Sequence, residues 1–183
     1  MKRFYTSAGD DGYTGLLGEG RVPKHHPRIE IIGAIDEATA FLGFSRAICQ
    51  DSKTGALLLL VQRDLYQIMA EIAATPENSR QFRSIDEKKV SWIEDQIEIL
   101  SSMVQNPEEF IIPGDSAVGA SLAIARTIVR RAERCLAKLW LDGEIENQNL
   151  LPYLNRLSSL CFILELREND VGGNIDSTLA KIR

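Results

Sequence analysis

From Pro27 to Glu168 the apolar residues recur three and four positions apart, the spacing of amphipathic α-helices, and few breakers interrupt the pattern. That restricts the chain to a small set of long helices. Pro27 suits a first helical turn, and Ile31, Ile32, Ile35, Ala38, Phe41, Leu42 and Phe44 carry a first helix to about Cys49. Thr54 is the expected cap of a second, in which Leu57, Leu58, Val61, Leu65, Ile68, Met69 and Ile72 mark one face until Pro76 stops it. Ser84-Ile85-Asp86-Glu87 has the Ser-x-x-Glu form of a capping box and opens a third helix through Val90, Ile93, Ile97, Leu100 and Val104. Pro107 and Pro113 bracket a connection. A fourth helix is expected from Asp115 or Ser116 to about Leu141, and a fifth from about Asn149 to Glu168 with Pro152 in its first turn. Five helices and no strand pattern predict an all-α fold, a five-helix bundle. The chain reads as one domain, with a Gly-rich arm over 1–26, the bundle over 27–168 and a tail over 169–183 containing Gly172-Gly173.

The chain has 183 residues, 44% of them hydrophobic. A domain of that length buries about 70% of the surface its unfolded chain exposes, so folding needs no disulfide or structural metal. Cys49, Cys135 and Cys161 are odd in number and lack a Cys-x-x-Cys spacing, which predicts reduced core thiols in a cytosolic protein and no zinc site. A net charge of −5, from 21 basic and 26 acidic residues, argues against the nucleic-acid backbone as main partner. The longest apolar run, Ala56 to Val61, is far short of the ~20 residues that span a bilayer. Met1 to Tyr5 lead into polar sequence without the apolar stretch of a secretory signal, so the expected location is the cytoplasm.

Four segments can carry chemistry. Gly9, Gly12, Gly15, Gly18 and Gly20 crowd the arm, with hydroxyls on Thr6, Ser7 and Thr14 and a charge on Lys24. Glycines let backbone N–H groups approach phosphates, although on composition alone this is a flexible arm, and no P-loop pattern is present. The fourth helix carries Arg126, Arg130, Arg131, Glu133 and Arg134, a local charge of +3 within nine residues of a protein of net −5. At ~100° per residue Arg126, Arg130 and Glu133 share one side, with Ile124, Ile128, Cys135 and Leu139 opposite. Such a helix is either a solvated face with Arg–Glu pairs or, because guanidinium groups suit bidentate phosphate contacts, a triphosphate site. Asn155 shares a stripe with Leu151, Ser159 and Phe162, where a core amide fixing helix packing competes with a ligand contact. Asp36 and Glu37 sit on the apolar first helix; one carboxylate is expected to face inward, paired with an Arg from the fourth helix, with simple exposure of both as the alternative. His25 and His26 are adjacent in the arm, which excludes the helical His spacings of di-iron bundles and zinc proteases.

In this order the segments resemble the PduO-type ATP:corrinoid adenosyltransferases, whose pattern joins a Thr-x-x-Gly-Asp-x-Gly-x-Thr arm to an Arg-Arg-Ala-Glu-Arg helix. The parts in register are Thr6 to Lys24, Pro27-Arg28-Ile29-Glu30 through Asp36-Glu37, Phe110 to Ser116, Ala125-Arg126-Thr127 through Arg134, and Leu154-Asn155-Arg156-Leu157-Ser158. The resemblance implies a homotrimer with each nucleotide site between two subunits. It implies that Thr6, Ser7, Ala8, Gly9, Thr14, Gly15 and Lys24 hold ATP together with Arg130, Arg131, Glu133, Arg134 and Asn155. Mg²⁺ would share the phosphate charge, and Asp36 with Arg126 would form an intersubunit ion pair. The implied reaction moves the 5′-deoxyadenosyl group of ATP to the Co(I) of a reduced corrinoid, giving adenosylcobalamin and triphosphate. Cobalt is then the nucleophile, and the protein aligns the reactants and stabilises the leaving triphosphate through Arg130, Lys24 and Mg²⁺. An aromatic residue at Phe110 would displace the lower axial ligand of cobalt and ease its reduction. The resemblance further implies a separate cob(II)alamin reductase as the electron donor and allows an adenosylcobalamin-dependent enzyme as a further partner.

Three departures stand out. Ser7 replaces a usual Lys or Arg, Asp115 replaces a second Gly, and the segment after Leu166 lacks the aromatic residue of an expected lid over the corrinoid. They keep open an alternative: a delivery module that binds ATP or adenosylcobalamin with little or no catalysis.

Overall fold

A short hairpin, five long helices and one single-turn helix make up the computed structural model, which describes residues 4–171 and 177–181. The arm contains β1 (Tyr13–Gly15) and β2 (Arg21–Pro23), paired antiparallel with Thr14 opposite Val22. The expectation of no strand is therefore corrected: three-residue strands are too short to leave an alternating pattern in the sequence. Helix α1 spans Pro27–Ile48, with Pro27 in its first turn and the His26 ring accepting from the Arg28 N–H at 3.2 Å.

Helix α2 spans Ser52–Ala73 and is capped by Asp51, which accepts from the Lys53 N–H at 3.0 Å. Thr54 is not the cap; it is buried and donates to Glu168 at 2.9 Å, tying α2 to the last helix. After the single turn α3 (Ser79–Phe82), α4 covers Glu87–Ser101 with Asp86 as its cap. The expected Ser84 capping box does not form, because the Asp86 carboxylate reaches the Lys89 N–H first, at 2.9 Å. Helix α5 runs Ala117–Leu141 from a Ser116 cap and stops at Gly143, whose φ of +74° only glycine adopts cheaply. Helix α6 runs Leu150–Val171, past the expected end at Glu168.

Helix α5 lies between α1 and α6, while α2 packs on α1 and α4 on α6. The buried stripe of α5 is Leu122, Ala125, Val129, Ala132 and Leu136, with Ile128 and Leu139 at its edge. This corrects the apolar side expected from Ile124, Ile128, Cys135 and Leu139: Ile124 is exposed and Cys135 half-buried. Alanines, weak in a hydrophobicity pattern, are what let two helices approach α5 closely. Of the three thiols only Cys161 is a core residue, and all three are free.

Two buried polar clusters fix the ends. Arg28 donates to the carbonyls of Ile72, Ala74 and Glu144 at 3.0, 3.2 and 2.6 Å, closing the last turn of α2. Asp64 accepts from the Tyr153 hydroxyl at 2.9 Å and from Lys89 at 2.6 Å, joining α2, α4 and α6. Residues 177–181 lie against the loop before α5, whereas Gly172-Gly173 fall outside the described residues.

Candidate functional site

The arm is organised by a residue the sequence reading passed over. Arg21 donates to Asp11 at 2.7 and 2.8 Å, to the Ala8 carbonyl at 2.6 Å and to the Tyr13 carbonyl at 3.1 Å, and its guanidinium lies 5.8 Å from the Tyr13 ring centroid. The Arg21 hydrogen bond, helped by the Tyr13 N–H, holds the Asp11 carboxyl down at about 2. This brings Thr6, Ser7, Ala8, Gly9, Thr14, Gly15 and Lys24 onto one small hairpin. Lys24 lies over Gly9, where a Cβ would sit 3.0 Å from its amine, and Ser7 takes a left-handed φ of 57°. Thr6, Ser7 and Ala8 are exposed, and within the turn the Ala8 N–H donates to the Thr6 hydroxyl at 3.4 Å.

The arm is moored at one point. Leu17 pairs with the end of α2 through Leu17 N–H to Ala73 at 2.8 Å and Thr75 N–H to Leu17 at 3.2 Å. Gly18 approaches so closely that a Cβ there would meet the Thr75 hydroxyl at 2.6 Å.

At the other end of the bundle a cavity of about 820 Å³ opens between the 104–111 loop, α5 and α6. Phe110, Arg126 and Arg130 line it together with Ser158 and Phe162. Phe110 is 86% exposed, an unusual cost for an aromatic ring unless something covers it. Arg126 is half-buried, its guanidinium 5.9 Å from the Phe162 ring centroid and its Nε buried without a hydrogen-bond partner among the described residues.

The remaining predicted residues lie between these ends. Asp36 and Glu37 are both exposed, which corrects the expected inward carboxylate; α1 turns Ile35 and Ala38 to the core instead. The Arg partner does come from α5, since Arg131 pairs with Glu37. Asp36 makes no hydrogen bond or ion pair among the described residues. Glu133 accepts from the Asn155 amide at 2.8 Å, and Asn155 in turn accepts from Arg156 at 2.9 Å. Arg134 donates to the Arg130 carbonyl at 3.0 Å. Among the described residues, no hydrogen bond or ion pair joins the arm to Arg126, Arg130, Arg131 or Arg134.

A family model described as cobalamin adenosyltransferase matches residues 4–168. The chain belongs to the cobalamin adenosyltransferase family. It is 37% identical over 164 residues to the corrinoid adenosyltransferase of Bacillus subtilis, covering 87% of this chain and 83% of that one. It is 36% identical over 166 residues to the corrinoid adenosyltransferase PduO of Salmonella typhimurium, covering 90% of this chain but 49% of the relative, so it spans about half that protein's length. Among solved structures, a phenylalanine-to-alanine variant of a PduO-type ATP:corrinoid adenosyltransferase from Lactobacillus reuteri, complexed with cobalamin and ATP, superposes with a TM-score of 0.90 at 27% identity, covering 98% of this chain and 100% of that chain. An arginine-to-lysine variant complexed with ATP gives a TM-score of 0.87 at 29% identity, covering 97% and 100%.

Behind the cavity wall this cobalamin adenosyltransferase family member buries a carboxylate that the sequence reading missed. Glu165 is 1% exposed, and neither oxygen has a hydrogen-bond partner among the described residues. Burial pushes its carboxyl up to about 7, opposed by Arg126 and aided by the negative charge of Asp115. Its signal in the sequence is an acidic residue between Leu164 and Leu166 on an apolar stripe.

Proposed function

We propose that this chain transfers the 5′-deoxyadenosyl group from ATP to the Co(I) of a reduced corrinoid, releasing triphosphate. Co(I) supplies the electron pair, the cobalt–C5′ bond forms, and the C5′–oxygen bond to triphosphate breaks. The observation that carries the reading is Phe110, an exposed aromatic ring bordering the same cavity as Arg126 and Arg130. It would offer an apolar face where cobalt would otherwise keep a lower axial ligand, and the guanidinium groups that would stabilise the leaving triphosphate line the same cavity. Burial of such a ring by a bound corrinoid removes its hydration cost.

The arm residues Thr6, Ser7, Ala8, Gly9, Thr14, Gly15 and Lys24 would take ATP, with Arg130, Arg131, Glu133, Arg134 and Asn155 supplied by a neighbouring copy in a homotrimer. Two features support the intersubunit arrangement: among the described residues the arm makes no bond to its own Arg helix, and neither exposed Asp36 nor the buried Arg126 Nε has a hydrogen-bond partner. An Asp36–Arg126 pair between copies satisfies both. Mg²⁺ would supply charge neutralisation on the triphosphate. Among the described residues no group of three His, Cys, Asp or Glu is placed to hold a metal ion. A separate cob(II)alamin reductase would deliver the electron, and an adenosylcobalamin-dependent enzyme would receive the product. We place the reaction in the cytoplasm, with residues 1–183 acting as one domain; among the described residues no helix is long and apolar enough to cross a membrane.

The test is anaerobic conversion of chemically reduced cob(I)alamin with ATP and Mg²⁺, followed by absorbance while triphosphate is quantified. Equal yields of both products over many turnovers are expected. Tight binding of ATP or adenosylcobalamin without turnover would instead establish the delivery module.

A further inference from the structure

The segment 177–181 is not a loose end. Its backbone forms a two-stranded contact with the loop that carries Phe110: Ile112 N–H donates to the Thr178 carbonyl and Ala180 N–H to the Phe110 carbonyl, both at 2.7 Å, with Leu179 facing Ile111. One carboxylate fixes the register. Asp115 accepts from the Thr178 hydroxyl at 2.6 Å and from the Thr178 N–H at 2.9 Å, and these bonds hold its carboxyl below the usual range. Ala180 and Lys181 then form part of the cavity wall beside Phe110. The next residue, Ser116, caps α5 and donates to Asn169 near the end of α6 at 2.7 Å, so the clasp rests on the two helices that make the rest of the cavity.

We propose that Asp115 is a positioning residue, which through Thr178 locks the strap 177–181 onto the Phe110 loop so that ring and strap form one rim of the corrinoid cavity. This rests on the adenosyl-transfer reading above. Thr178 acts by its hydroxyl, since a charge-assisted O–H bond is stronger than a neutral one and directional. A register slip of one residue would turn Leu179 from one face to the other and move the amide that holds the Phe110 carbonyl. The acidic residue at 115 and the strap sequence therefore belong together, as two halves of one contact, and the first does not impair the second.

Asp115→Ala and Thr178→Val are compared with Thr178→Ser, which keeps the hydroxyl. Hydrogen exchange of the Ile112 and Ala180 amides should quicken about tenfold or more in the first two and stay near wild type in the third, while amides of central α5 remain unchanged. In turnover, KM for the corrinoid should rise about tenfold with KM for ATP unaltered, and the fraction of bound cob(II)alamin lacking its lower axial ligand, read by electron paramagnetic resonance, should fall. Wild-type exchange at both amides in Asp115→Ala overturns the clasp. Fast exchange with corrinoid KM and axial-ligand fraction unchanged overturns the positioning role, as does an equal rise of both KM values. Failure of the reading beneath it looks different: the wild type itself would not turn over, while the exchange rates still report on the clasp.

Discussion

The hairpin arm meets the bundle through Leu17, Gly18 and Thr75 and keeps its shape by charge and backbone bonds around Arg21, whereas the Phe110 cavity is cut into packed helices. One half of the site is thus tethered and the other embedded. Exposed hydrogen bonds open readily, while a wall backed by core residues moves only with the core. On the adenosyl-transfer reading proposed above, the two halves have different work: the embedded half would pre-align a rigid ring system, and the tethered half would adapt as a flexible triphosphate arrives. Variants at each half should accordingly fail in different observables.

The largest effect is expected at the junction, where Arg130 lines the cavity yet is exposed to solvent on its outer side. Arg130→Ala should lower kcat by about 10²- to 10³-fold, the usual loss when a donor to developing charge is removed. Urea unfolding should be unchanged within about 0.5 kcal/mol, because the side chain supports no buried contact. Single-turnover rates and a denaturation curve on the same preparation check both; near-normal turnover removes Arg130 from the reaction.

Next comes the embedded half. An unfolded glutamate loses its proton near 4.5, but buried Glu165 keeps it to about 7. The native state therefore binds more protons between those values, and stability conferred by the neutral form is lost as pH rises from about 4.5 to about 7. Glu165→Gln, which cannot ionise, should leave stability at pH 5 nearly unchanged and raise it at pH 8 by up to about 3 kcal/mol. Parallel pH profiles of the urea midpoint for both proteins would show that Arg126 already compensates the charge.

Legibility in the sequence follows the same division. The long helices were legible because Ile31, Ile35, Ala38 and Leu42, or Leu58, Val61, Leu65 and Ile68, repeat over several turns and are all buried. The buried face of α5 was misjudged because Ala125 and Ala132 pack tightly without looking hydrophobic, while Ile124 looks hydrophobic and is exposed. Caps failed where two candidates stood within three residues: Asp51 displaced Thr54, and Asp86 displaced Ser84. In the candidate site, the sequence singles out Phe110, Arg126 and Arg130, and the fold brings all three to the lining of one cavity. Arg21 and Thr178 were not, since their partners Asp11 and Asp115 lie ten and 63 residues away and no local period links them. Asp115 was noticed only as a departure from a pattern.

For the tethered half, Arg21→Ala removes four hydrogen bonds without disturbing the core. The arm should lose its shape and ATP should bind about tenfold more weakly, while the melting temperature and corrinoid affinity stay as they were. Isothermal titration with each ligand separates the cases. A matching loss of corrinoid affinity would mean that the arm and cavity are not independent halves.

The smallest effect tests whether the bundle face that carries Arg131 must rearrange at all. Arg131 and Glu37 are each 45% exposed, and an ion pair at such a position contributes less than about 1 kcal/mol. If Arg131 meets phosphate, Glu37 competes with ATP for it, and Glu37→Gln should tighten ATP about two- to threefold with stability lower by a few tenths of a kcal/mol. Were the pair instead part of the finished site, orienting Arg131 rather than occupying it, the same substitution would weaken ATP. The sign of a small change in affinity thus decides whether the Arg131 face of α5 is set before the nucleotide arrives or by it. The embedded half offers no such ambiguity, because the Phe162 ring already holds the Arg126 guanidinium from one side.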